Sequence, residues 1–239
     1  MPQNIEGTVY CVDRDRVTQA RLAQLLSAQG LGCKTFASAE SFLDSHSHAP
    51  PDAHGSPPGC LLLEVELPGM SGLDLQAALA AEGNTLPIIF LSSTTDLRAP
   101  IAALKAGALD FLLKPMEAGS LADAVRNALA LDARNRQVRL LRAQILARMG
   151  ELTEREAQVM AFVVRGHTSK EIAQTLCISP RTVEVHRKNR FSKMRAASLA
   201  GLVEQVIQVR EMPDAAGRAR SAVSGQLRDS TYLTRAGNV

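Results

Sequence analysis

The chain has 239 residues, which suits two small domains better than one, and its 46% hydrophobic content is that of a soluble globular protein. Aromatics are only 3%, so the core must be built from Leu, Val, Ile and Ala. No apolar run approaches the roughly 20 residues of a membrane helix, and Met1–Glu6 has neither a basic start nor an apolar signal core, which together predict a cytoplasmic protein with no membrane partner.

The net charge of +3 hides an asymmetry. Residues 1–117 hold 7 basic and 13 acidic residues, whereas residues 151–210 hold 10 and 6. An acidic front and a basic back point to a polyanion as the partner of the second half. The cysteines Cys11, Cys33, Cys60 and Cys177 form no CxxC pair and have no zinc spacing with a histidine, so they read as small buried apolar residues.

Along the first half, short apolar runs alternate with helical periods. Thr8–Val12 reads as a strand and Val17–Gln29 as a helix, with Ala20, Leu22, Leu25 and Leu26 on one face. A short strand follows near Cys33–Thr35, then a helix through Phe42 and Leu43 that Ser38 can cap. The stretch His46–Gly59, with four prolines, is a surface loop; its three histidines, His46, His48 and His54, have nothing to fix a metal geometry. Strands at Leu61–Glu64, Pro87–Ser92 and Leu109–Leu113 alternate with helices at Leu73–Ala81 and Leu97–Ala106. Five strands alternating with helices imply βαβ units, a parallel sheet covered on both faces and functional residues at the strands' carboxyl ends.

Ser120 is a candidate cap for a long helix over residues 120–149, whose apolar residues recur in steps of four with Arg134, Arg136, Arg139 and Arg142 between them. This helix is expected to connect two domains. Thr153 and Glu156 form a capping box for a helix that Gly166 stops near Arg165. Ser169–Leu176 is a second helix and Cys177-Ile178-Ser179 a tight turn. Ser179 is placed as N-cap and Pro180 as first residue of a basic helix to about Arg195. Val183, Val185, Phe191 and Met194 can supply its packed side, and Ser198 starts a fourth helix through Val209. Residues 211–239 lack periodicity and are predicted to be disordered.

The run Leu152-Thr153-Glu154-Arg155-Glu156, with Ser169-Lys170-Glu171-Ile172-Ala173 and the segment from Ile178 to Lys188, closely resembles the LuxR/FixJ-type four-helix DNA-binding domain. The resemblance covers residues 151–210. It implies a helix-turn-helix whose second helix enters the major groove, with Glu184, Val185 and Lys188 toward base edges. Lys170, Thr182, His186, Arg190 and Lys193 would then meet phosphates. It further implies a homodimer on inverted repeats of promoter DNA, with RNA polymerase as a further candidate partner.

The apolar run ending at Glu64, followed by Leu67-Pro68-Gly69, resembles the phosphoacceptor strand of a two-component receiver domain over residues 7–119. That resemblance implies a flavodoxin-like α/β fold and a site built from an acidic pair, an acceptor aspartate, a hydroxyl, a lysine before proline and a magnesium ion. Ser92, Phe111 and Lys114-Pro115 keep the pattern, and the peptide before Pro115 is expected to be cis. Two positions depart: the acidic pair is Asp13-Arg14, and the acceptor is Glu64. Arg14 removes a magnesium ligand and adds repulsion, so no cofactor is expected; it is expected to pair instead with Glu64 or Asp13. Asp15 is one residue too far along, and Glu66 reads as exposed. The whole is a receiver-like domain (1–119), a helical linker (120–150), a DNA-binding domain (151–210) and a tail (211–239). It is read as a transcription regulator, not an enzyme, acting independently of phosphorylation. Three alternatives stay open: Glu64 mimics the active state, or it has drifted and control passes to a ligand or partner protein, or the receiver is still phosphorylatable and catalyses its own phosphorylation from phosphodonors.

Overall fold

The structure is a computed structural model, and it describes residues 7–46, 57–93 and 98–211. The chain divides into two compact units between Arg136 and Gln137.

The first unit carries strands β1 (Thr8–Val12), β2 (Gly32–Phe36), β3 (Gly59–Glu64), β4 (Ile88–Ser92) and β5 (Asp110–Leu113). They form one parallel sheet in the order β2-β1-β3-β4-β5. Helices α1 (Arg16–Ser27), α2 (Ala39–His46), α3 (Gly72–Ala81) and α4 (Arg98–Lys105) lie between the strands, and α5 (Ala118–Gly150) follows β5. Because side chains alternate along a strand, Val9, Cys11 and Leu62 pack with Leu22 and Leu26 of α1 and with Leu121, Val125 and Leu129 of α5. Val12, Leu61, Leu63 and Phe90 instead pack with Phe42, Leu75, Leu79 and Ala103 of α2, α3 and α4. Covered on both faces, β3 is buried along its whole length.

Several local expectations shift. The long helix begins at Ala118, so Ser120 lies inside its first turn rather than capping it. Its first half is not a free connector: Leu121, Val125 and Leu129 are core residues. Asp132, also on α5, is buried and accepts hydrogen bonds from Gly59 N at 2.8 Å and Arg136 Nε at 2.7 Å, which ties the helix to the start of β3. Cys11 and Cys60 are buried, and burial pushes the Cys60 thiol up to about 12 and the half-buried Cys33 thiol to about 11. Cys177 departs from the buried reading, because it is exposed at φ 53° on the left-handed turn after α7. The expected tail falls almost wholly on residues 212–239, outside the described residues, as do His48 and His54.

The second unit holds the end of α5 and the helices α6 (Glu154–Val164), α7 (Ser169–Leu176), α8 (Pro180–Met194) and α9 (Leu199–Glu211). Capping boxes at Thr153 with Glu156 and at Thr168 with Glu171 start α6 and α7, and Ser179 with Pro180 starts α8. Two apolar clusters hold the unit together. Val159, Val163, Ile172, Ala173 and Val183 join α6, α7 and α8, while Ile145, Met160, Met194, Leu202 and Val206 join α5, α6, α8 and α9. Among the described residues, no helix is long and apolar enough to cross a membrane.

Candidate functional sites

In the first unit, four strands deliver their chemistry to one end of the sheet. Asp13 follows β1, Glu64 ends β3, Ser92 ends β4 and Lys114 follows β5. The sheet order reverses direction beside β1 and β3, the position where open parallel sheets bind ligands. The backbone around Glu64 is held tightly. Gly72 N donates to Val65 O at 3.0 Å, and a Cβ on Gly72 would stand 2.2 Å from the Glu64 carbonyl oxygen, so only glycine fits. Glu40 of α2 accepts from Met70 N at 2.9 Å and fixes the loop that follows β3, which turns at Gly69 with φ 75°.

Lys114 stands between two buried acids. Its Nζ donates to Asp13 Oδ2 at 2.5 Å and to Glu64 Oε2. Asp13 is 0% and Glu64 6% exposed. Burial lowers the lysine pKa, but the hydrogen bonds and charges of Asp13 and Glu64 outweigh it and hold the ammonium above the ordinary lysine value. The other Asp13 oxygen, Oδ1, accepts from Asp15 N at 2.8 Å, and Gln19 Nε2 donates to the Asp13 carbonyl at 2.6 Å. The Lys114–Pro115 peptide is cis. Ser92 is buried, and its carbonyl accepts from Lys114 N at 2.7 Å. Phe111 is half-buried and stacks on Phe90, with centroids 6.3 Å apart.

Arg14 does not pair with Glu64 or Asp13 as expected. Its Nη2 meets Glu66 Oε2 at 3.3 Å, with both side chains well exposed. The reason is positional: Lys114 already occupies both acids, and Glu66, past the end of β3, lies within reach of the loop after β1. Asp15 caps α1, accepting from Val17 N, Thr18 N and Thr18 Oγ1. The Thr18 hydroxyl and these amides hold its carboxyl below the usual range. Asp13, Arg14, Asp15, Thr18, Glu64, Glu66, Ser93 and Lys114 line an open cleft of about 350 Å³. A divalent ion does not fit this donor set. Both Asp13 oxygens and Glu64 Oε2 are engaged, an ammonium sits between the two acids, and the neighbouring position is a guanidinium. Among the described residues no cluster of three metal-ligating side chains exists.

In the second unit, α8 is the basic helix. Glu184, Lys188 and Thr182 are exposed, as is Lys170 on α7, and His186 is half-buried. Val185 is 53% exposed, so it belongs to the outward face and not to the packed side. Two basic residues expected at phosphates turn inward. Arg190 is 0% exposed, continuing the stripe of Val183 and Met194 toward the core, and its three guanidinium nitrogens have no hydrogen-bond partner. Its guanidinium carbon lies 4.5 Å from the ring centroid of Phe191. Burial pushes its pKa down to about 10, with Arg187 adding to the shift, so it remains a cation. Lys193 donates to buried Glu156 at 2.6 Å and to the Glu151 carbonyl at 3.1 Å. Burial raises the Glu156 pKa, but Lys193 and Thr153 reverse this and leave it lowered. A basic pattern reveals the helix, whereas the inward turn of Arg190 and Lys193 has no signal in it. Gln19, Glu40, Ser169 and Arg187 also emerge only from contacts.

A parallel receiver-like sheet with an acid-lysine site, joined to a four-helix unit with a helix-turn-helix, defines the class: a transcriptional response regulator. Residues 9–126 match the response regulator receiver domain, and residues 150–206 match the bacterial regulatory proteins of the luxR family. The response regulator protein TmoT of Ectopseudomonas mendocina is 39% identical over 198 residues, 83% of this chain and 87% of that protein. The transcriptional regulatory protein FixJ of Azorhizobium caulinodans is 37% identical over 207 residues, 87% and 94% of the two chains. Among solved structures, the response regulator StyR superposes with a TM-score of 0.74 at 39% identity, covering 85% of this chain and 99% of its own. Full-length FixJ from B. japonicum gives 0.51 at 32% identity, covering 87% and 98%. The chain belongs to the FixJ-type two-component response regulators, with a receiver domain and a LuxR-type DNA-binding domain.

Proposed function

We propose that this regulator binds its promoter DNA without phosphorylation of its receiver, because Lys114 is already engaged by a built-in carboxylate. The observation that carries this reading is the Lys114 bridge to Asp13 and Glu64. Glutamate is one methylene longer than aspartate, and its Oε2 accepts from the Lys114 ammonium. Glu64 thereby supplies, with a single negative charge, part of what a phosphate of roughly −1.5 to −2 would supply.

On the output side, Glu184, Val185 and Lys188 face base edges, and Lys170, Thr182 and His186 approach phosphates. Lysine donates to guanine acceptors, glutamate accepts from cytosine N4, and valine can touch a thymine methyl. Leu199 and Ile207, exposed on α9, are apolar surface for pairing two copies on an inverted repeat. RNA polymerase is the partner such a regulator would meet at a promoter.

Glu64→Ala and Glu64→Asp test the reading. The alanine variant is expected to lose DNA affinity and promoter activity, with its fold checked by circular dichroism. Equal activity of Glu64→Ala and the parent would mean that Glu64 sets nothing. The open cleft beside Arg14 and Ser93 favours a second reading, control by a small ligand or partner protein docked there. Under that reading the Glu64 variants stay responsive, and substitutions at Thr18 or Ser93 do not.

A further inference from the structure

Outside the receiver site, the start of α7 holds a charged relay against α8 that packing does not require. Arg187 Nη1 donates to Ser169 Oγ at 3.0 Å, and the Ser169 hydroxyl donates in turn to Glu184 Oε1. The direction of this chain is fixed by chemistry. A guanidinium only donates and a carboxylate only accepts, so the single serine proton belongs to the Glu184 side. A hydroxyl that accepts from a cation is also the stronger donor. Glu184 and Arg187 are three residues apart on α8, which puts them on one side of the helix. Ser169 needs neither contact to start α7, because Thr168 and Glu171 already form its capping box.

The consequence concerns how Glu184 is presented. The side chain is exposed, and a free glutamate would lose rotamer freedom on meeting a base. Held at Oε1, it has that freedom removed in advance. No partner engages Oε2 among the described residues, which leaves an acceptor suited to an exocyclic amine such as cytosine N4.

We propose that Ser169, supported by Arg187, is a positioning residue for base readout: it aims Glu184 and so sets discrimination at one base pair. This rests on the proposed role of Glu184 as a base reader. The test is selection of duplexes from a randomised DNA pool by full-length protein, comparing the parent with Glu184→Ala, Ser169→Ala, Ser169→Thr and Arg187→Met. Thermal unfolding checks that each variant is folded. Glu184→Ala is expected to lose the preference for cytosine at one position. Ser169→Ala and Arg187→Met should weaken that same preference roughly 3- to 10-fold, the size of one hydrogen bond. All other positions should be unchanged, and Ser169→Thr, which keeps the hydroxyl, should restore the preference. If Glu184→Ala shifts a position that Ser169→Ala and Arg187→Met leave alone, Ser169 does not position it, while the base-reading role stands. If Glu184→Ala shifts no position, the base-reading role and the proposal fall together. A uniform loss at every position in Ser169→Ala would reduce the relay to helix packing.

Discussion

In the receiver unit, Lys114 stands between Asp13 and Glu64 at the ends of three strands, and all three charges are enclosed and paired. In the DNA-binding unit, α8 turns Glu184, Val185 and Lys188 outward, while Arg190 on the same helix is enclosed and its guanidinium has no hydrogen-bond partner among the described residues. Both units bury a cation fully or nearly so, but Lys114 meets two carboxylates and Arg190 meets no hydrogen-bond partner among the described residues. A buried charge is tolerable when paired and costly when alone. The receiver cation is therefore a stabilising lock, and the Arg190 guanidinium, buried between Val183 and Met194 and repelled by Arg187, is a liability.

Removing the receiver cation should produce the largest effect. Lys114→Met leaves two buried carboxylates unpaired and is expected to cost about 3–5 kcal/mol, read as a fall in the thermal midpoint. Adding Glu64→Gln should recover part of it. No fall in Lys114→Met would show that the bridge does not form in solution. The opposite sign is expected at the lone cation: Arg190→Met should stabilise the DNA-binding unit by about 1–4 kcal/mol. DNA affinity and its salt dependence should not change, because the guanidinium is enclosed. A salt slope reduced by about 1 would instead mean that Arg190 leaves the core to meet a phosphate.

A smaller, pH-dependent effect separates the paired cation of α8 from the unpaired one. The Glu156 pKa is lowered in the folded chain. Its stabilisation is therefore present above the ordinary glutamate value of 4.5 and is lost as pH falls through the lower folded value. Lys193→Met removes a main cause of that lowering. It should move acid unfolding of this unit to higher pH and cost about 1 kcal/mol near neutrality; an unchanged acid transition would detach Lys193 from Glu156. The smallest effect belongs to the exposed pair. Arg14→Ala should change stability by no more than about 0.5 kcal/mol, because solvent screens Arg14 and Glu66. A large loss there would mean that Arg14 reaches the buried acids after all.

Most of the fold was legible in the sequence because its signals are local. β1 runs Thr8–Val12 and α7 Ser169–Leu176 as the periodicity predicts, and Thr153, Ser179 and Pro180 start their helices through short-range hydrogen bonds and a fixed φ. The start of α5 is not legible, because Ser120 has the residue type of a cap but lies past the first helical residue, Ala118. Within the sites, the order of the sheet brings Asp13, Glu64, Ser92 and Lys114 together as the strand pattern implies. Which cation takes which acid was not legible. Lys114 and Glu64 are 50 residues apart and Arg14 and Glu66 are 52 apart, so the pairing depends on three-dimensional reach. The enclosure of Arg190 is not legible for a related reason: basic residues recur so densely along α8 that charge alone does not tell the outer stripe from the inner one.

The most direct test is exposure of the purified full-length protein to acetyl phosphate, and separately to beryllofluoride with magnesium, followed by intact mass and DNA affinity. No phosphoryl adduct and an unchanged affinity for duplexes selected from a randomised pool are predicted, with Glu64 and Lys114 remaining paired. A phosphoryl adduct on the receiver, or a strong gain in DNA affinity, would contradict a switch that works without phosphate.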